Sequence, residues 1–193
     1  MSVPSKSSRS SNRRRTRYLT FDDLNTLAYE LARYLFADWL EPMPVLHVLG
    51  GKEGAGVLAG ILALPKQSAG RKAAYSSIFD KAAALFRSMT LDHPFVDGNK
   101  RMAVATTLAF LGVNDWIVVA TDDDLVNLAL AVASGNLRER DELARWFQMN
   151  SVAFEDLATA SDSGRINELV CELPGNAGLQ ERRLLALVLG ERL

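Results

Sequence analysis

Cysteine is almost missing from this chain: Cys171 is the single thiol in 193 residues, which excludes an intrachain disulfide and a multi-thiolate zinc cluster. Alone, it reads as a small core hydrophobe rather than a catalytic thiol. Histidine is nearly as scarce, with only His47 and His93, so metal chemistry must draw on oxygen ligands or on that pair. No apolar run approaches the roughly 18 residues that a membrane span needs, and no apolar segment follows the basic start to make a secretory signal. The expected setting is cytoplasmic, without a membrane partner.

Acids are absent from residues 1–17, which carry Lys6, Arg9, Arg13, Arg14, Arg15 and Arg17. Removing those six from the 22 basic residues leaves 16 against 23 acids, so the remainder stands at −7 although the whole chain is at −1. A basic, Ser-rich stretch of this kind buries too little apolar surface to offset its ordering entropy. It is expected to be a solvated, disordered tail, and a nucleic-acid partner is disfavoured.

Strand signals are thin. Most of the chain is Ala- and Leu-rich, with apolar residues recurring at three and four, and hydrophobic residues make up 48%, enough for one sizeable core. The expected class is mainly α. Thr20 and Asp23 form a capping-box-like start to a first helix with an apolar stripe of Phe21, Leu24, Leu27, Ala28, Leu31 and Leu35, ending before Pro42 and Pro44. Val45 to about Gly60, with Gly50, Gly51, Gly54 and Gly56, suits a flexible loop or small hairpin; it lacks the spacing of a nucleotide-binding glycine loop. His47 lies in this segment without a carboxylate nearby, which disfavours a metal role.

A short helix over Val57–Leu64 stops at Pro65, and a polar connection with Gly70 follows. Ile78, Ala82, Leu85, Phe86 and Met89 then mark a buried helical face. Another helix carries Met102, Val104, Ala105, Leu108, Ala109 and Leu111. Trp116–Ala120 is a brief β-branched run, and Thr121 with Asp122, Asp123 and Asp124 opens a further helix, where the acids act as caps rather than metal ligands. A last strong pattern spans Leu137–Asn150, broken from its predecessor at Gly135 and Asn136, with weaker helical patterns beyond Ser151. This divides the chain into a tail at 1–17, a main domain at 18–150 and a helical extension at 151–193.

The densest chemistry is His93-Pro94-Phe95-Val96-Asp97-Gly98-Asn99-Lys100-Arg101. Pro94 keeps His93 out of the preceding helix and Gly98 permits a tight turn before the next one. A helix opening at Asn99 turns free N–H groups back toward the loop, an anion cradle to which Lys100 adds a point charge and Arg101 a planar fork. Asp97 can hold a magnesium ion together with substrate phosphates. His93 is a competent general base for a hydroxyl nucleophile, and Phe95 is an apolar plug that fixes the loop.

The stretch resembles the signature of the Fic/Doc superfamily, His-Pro-Phe-x-Asp/Glu-Gly-Asn-x-Arg, and Lys100 follows its death-on-curing (Doc) branch, where Asn-Lys-Arg replaces Asn-Gly-Arg. The flanks Val57–Pro65, Phe79–Met89 and Ala103–Gly112 resemble the same branch, and the likeness covers roughly residues 18–148. The resemblance implies a helical bundle with a small β-hairpin flap. It implies an enzyme using ATP and Mg2+: His93 deprotonates the acceptor, Asp97 binds the metal, Gly98 and Asn99 shape the anion hole, and Lys100 and Arg101 hold phosphates. In the Doc branch that means a toxin kinase of a protein target such as a translation elongation factor, controlled by a separate antitoxin. Gly98 stands where the founding Doc toxin has alanine and matches Fic enzymes, so AMP or UMP transfer remains the alternative reading. A catalytically silent binding module is a second. The self-inhibiting Ser/Thr-x-x-x-Glu-Gly/Asn helix of Fic enzymes has poor matches at Thr26–Glu30 and Ser151–Glu155, where Leu31 and Asp156 occupy the sixth place.

Overall fold

The computed structural model describes residues 15–35, 48, 51–70 and 72–154. The expectations for the tail up to residue 14, for His47, for Pro42 and Pro44, for Cys171 and for the extension from residue 155 onward lie outside these residues.

The architecture is mainly α, as composition and periodicity predict. Six helices occur among the described residues: α1 (Phe21–Leu35), α2 (Lys52–Ala63), α3 (Ile78–Leu91), α4 (Asn99–Gly112), α5 (Asp122–Ala133) and α6 (Arg140–Met149). Two small antiparallel sheets accompany them, β1 (Ser68–Ala69) with β2 (Lys72–Ala73) and β3 (Trp116–Val118) with β4 (Ser151–Ala153). No helix among the described residues is long and apolar enough to cross a membrane.

Three helices start on capping boxes, each of which satisfies N–H groups that a helix start leaves without partners. At α1 the Thr20 N–H donates to Asp23 at 2.7 Å and the Asp23 N–H to the Thr20 hydroxyl at 3.2 Å. Thr121 and Asp124 do the same for α5. The Asp124 carboxyl therefore sits below its ordinary pKa, held there by the Thr121 hydroxyl and N–H; Asp124 caps, as its position predicts. At α3, Ser77 and Asp80 form the box and the Ser76 hydroxyl adds a bond to Asp80 at 2.7 Å.

Partial burial alone would raise the Asp80 pKa, but the Ser76 and Ser77 hydrogen bonds and the field of Arg140 outweigh it and lower it. A lowered folded-state pKa stabilises above the carboxyl's ordinary value of 3.8 and is lost as pH falls through the folded value. Chemical unfolding at falling pH is therefore expected to show stability dropping below about pH 4, with a shallower drop in Asp80→Asn. Equal slopes for the two proteins would remove Asp80 from the acid response.

Helix α3 is the hub. It packs most extensively against α4 and α6 and also meets α2 and α5. Phe86, Met89 and Leu85 of α3, Phe110 and Leu111 of α4, and Leu143 and Phe147 of α6 are essentially solvent-free. Phe86 and Phe147 meet edge to face at 5.5 Å between centroids, a geometry that adds to area burial. Lys81 is also buried, and its Nζ donates to the Pro65 carbonyl at 2.6 Å, pinning the single 3-10 turn Leu64–Lys66 to α3.

Helix α2 corrects the loop or hairpin expected between Val45 and Gly60, because it starts at Lys52 and runs through Gly54, Gly56 and Gly60. Gly54, Leu58, Ile61 and Leu62 fall at spacings of four, three and one and are buried, and α2 packs on α3. Each interior glycine costs about 1 kcal/mol, whereas burying each of the three large side chains is worth about 1.5–3 kcal/mol. Packing wins.

The hairpin lies instead at β1–β2, in the stretch expected to be a polar connection, with Ser68 opposite Ala73, Ala69 opposite Lys72, and Gly70 at φ 64° in the turn. Residues 151–153 also depart from the helical pattern expected beyond Ser151. They pair with β3, Trp116 facing Ala153 and Val118 facing Ser151.

Candidate functional site

The motif forms the connection between α3 and α4, the two helices at the centre of the core. α3 ends at Leu91, and His93 follows with φ 44°, not in the extended region a following proline ordinarily selects. Such a backbone costs about 1–3 kcal/mol and persists where its surroundings hold it. The holders are visible: Pro94 and Phe95 are buried, and Phe95 is 2% exposed. Phe95 is the plug its sequence position suggests, and it also pairs through its backbone with Val48 in an isolated antiparallel bridge. That bridge lays Val48 alongside the motif.

His93 is exposed, as are Asp97, Lys100 and Arg101, while Gly98 and Asn99 are half-buried. All six predicted residues thus lie on one connection and the first turn of α4. Gly98 is the N-cap of α4 at φ 79°, ψ 9°, and the first helical bond runs from the Met102 N–H to the Gly98 carbonyl at 2.8 Å. The N–H groups of Asn99, Lys100 and Arg101 therefore have no acceptor within the helix, at its positive end and next to two cationic side chains. That arrangement suits phosphate oxygens.

A methyl group at Gly98 would touch the Arg101 side chain at 3.8 and 3.9 Å, ordinary contact, so its cost is conformational. Gly98→Ala is expected to lower stability by about 1–2 kcal/mol, the left-handed penalty for a side chain, with the site retained. Denaturant midpoints measure this; a loss well above that range would mean that the cradle needs the open space itself.

The Asn99 side chain does something sequence reasoning missed. Its Oδ1 accepts from the Phe95 N–H at 2.9 Å and its Nδ2 donates to the Phe95 carbonyl at 2.8 Å. The amide stands in for a strand partner on one residue's backbone, clamping the loop back onto the helix start. The readable signal was an Asn four residues after a buried aromatic, at a helix start.

Asp97 accepts from the Gly98 N–H at 2.6 Å and pairs with Arg101 at 3.2 Å. Its side chain is 90% exposed and that of Arg101 is 48% exposed, so the pair is worth no more than about 1 kcal/mol and opens readily. One accessible carboxylate suits Mg2+, which takes one or two carboxylates and completes its shell with water and phosphate. Among the described residues no cluster of three or more His, Cys, Asp or Glu could cage a metal.

The model of the Fic/DOC family matches residues 18–111. A curated relative, Toxin Doc of Mycolicibacterium smegmatis, is 40% identical over 70 residues, which is 36% of this chain and 53% of that protein. The chain thus spans about half the length of the curated relative it matches.

Proposed function

We propose, from the premise that residues 18–111 belong to the Fic/DOC family, that the chain is a Doc-type toxin transferring the γ-phosphoryl group of ATP to a hydroxyl of a protein such as a translation elongation factor. The observation that carries this reading is the start of α4, where three N–H groups without an acceptor in the helix belong to Asn99 and the exposed Lys100 and Arg101, directly after the exposed His93 and Asp97.

In this reading the N–H groups of Asn99, Lys100 and Arg101 grip phosphate oxygens, the Lys100 ammonium adds charge, and the Arg101 fork takes two oxygens at once. Asp97 would hold Mg2+, which when bound neutralises and orients the phosphates. Opening the exposed Asp97–Arg101 pair costs little against the charge-assisted bonds that replace it. His93 accepts the acceptor's hydroxyl proton while its oxygen bonds to the γ-phosphorus and the bond to ADP breaks. The resemblance to Toxin Doc supports a partner antitoxin as the means of control.

Incubation with ATP and the elongation factor tests the transfer. γ-labelled ATP is expected to mark the factor and raise its intact mass by one phosphate, and α-labelled ATP to leave it unmarked. Label arriving from the α position alone would overturn phosphoryl transfer in favour of nucleotidyl transfer, the reading that Gly98, shared with Fic enzymes, favours.

A further inference from the structure

A cleft of about 450 Å3 lies outside the motif, between α3, the 3-10 turn and the start of α6. Its polar wall is arginine: Arg87 from α3, and Arg138 and Arg140 from the connection into α6. Arg140 is already satisfied, bonded to Asp141 at 2.9 Å, within the field of Asp80, and stacked 5.3 Å above the Tyr75 ring. Arg87 and Arg138 differ. Each spends its Nε on a backbone carbonyl, Arg87 on Arg138 at 3.4 Å and Arg138 on Gly135 at 2.8 Å, and neither pairs with a carboxylate among the described residues.

The 2.8 Å bond holds Arg138 and the longer one steadies Arg87 less, and neither bond uses the terminal NH2 groups that receive a carboxylate. Glu139 also lines the cleft, one acid beside three arginines. On a chain whose residues beyond 17 carry an excess of acids, two unpaired arginines facing one hollow stand out against the background charge. The remaining wall is Leu64, Ala84 and the Tyr75 ring, with Ser88 among them. An inorganic anion would leave that wall unused, whereas a peptide mixing acidic and aliphatic residues would use both.

We propose that this cleft docks an acidic, partly apolar segment of the acceptor protein. The identity of that partner rests on the proposed function. Arg87 precedes the end of α3 at Leu91 by one turn, about 6 Å along the helix axis, and His93 follows two residues later. Docking at that range raises the effective concentration of the acceptor hydroxyl.

The test uses the full chain and a short fluorescent peptide of Glu, Asp and Leu. Saturable, salt-weakened binding is expected, undisturbed by inorganic phosphate or by a Lys-for-Glu peptide. Losing two charge-assisted contacts in Arg87→Gln/Arg138→Gln is expected to weaken it at least about tenfold. Arg87→Gln alone, which leaves the Arg138 anchor in place, should weaken it about threefold or more. In the transfer assay the double variant should raise KM for the protein acceptor by a similar factor, with kcat and KM for ATP unchanged. Wild-type affinity in the double variant, displacement of the peptide by phosphate, or no binding at all would each overturn the proposal. A chain that binds the peptide yet transfers nothing would instead overturn the enzymatic reading and leave the cleft standing.

Discussion

Replacing His93 by alanine is expected to slow transfer by about 10²–10⁴-fold, the usual contribution of a positioned general base, or roughly 3–5 kcal/mol of barrier. The fold should survive. The side chain is exposed, so its removal opens no cavity, and the buried Pro94 and Phe95 that hold the connection are untouched. Nucleotide affinity should survive as well, because the phosphate donors belong to α4. Single-turnover rates with labelled ATP, together with circular dichroism, decide the matter: a folded variant keeping more than about a tenth of the wild-type rate would lie below the range for a general base and take the imidazole out of the chemistry.

Asn99→Ala should do damage of a second kind, to stability and to rate together. It frees the Phe95 N–H and carbonyl, which now bond to the side-chain amide at 2.9 and 2.8 Å in a half-buried setting. Leaving such groups without partners costs about 1–3 kcal/mol each when water cannot replace the bond; with partial hydration, a total of about 2 kcal/mol is expected. For a chain of this length that is a fall in melting temperature of roughly 4–8 °C. A shift of about 1 Å in the loop would cost transfer on the order of a hundredfold. Asn99→Asp should fall between, since it keeps the acceptor for the Phe95 N–H but turns an oxygen toward the carbonyl. Thermal unfolding of both variants is the measurement, and an Asn99→Ala protein melting with wild type would show that the clamp does not hold the loop.

These two effects separate the parts of the motif that sequence made plain from the part it hid. His93, Asp97, Gly98, Lys100 and Arg101 announce themselves by chemical type, and the structure puts them on one connection and the first turn of α4. What residue type did not state is the commitment of the Asn99 side chain to the Phe95 backbone. Which way an amide turns depends on where the loop returns, and that follows from burial of Phe95 and its bridge to Val48.

Helix starts were legible for a related reason. Thr20 with Asp23 and Thr121 with Asp124 act across three residues, a range over which the sequence states its own geometry. The glycines of α2 misled, because the penalty they carry is local and small while the reward is the face that Leu58, Ile61 and Leu62 bury against α3.

From the sequence alone come the mainly helical class, the caps, and the set of base, carboxylate and cations concentrated between two periodic helices; all of these rest on neighbours within a few positions along the chain. Only the tertiary structure decides that residues 151–153 become a strand on Trp116–Val118, that α2 begins as early as Lys52, and that Arg87 and Arg138, 51 positions apart, share a cleft. The physical reason is that such pairings draw their free energy from surfaces that meet only after the chain has closed on itself, where burial and desolvation, rather than local preference, select the partner.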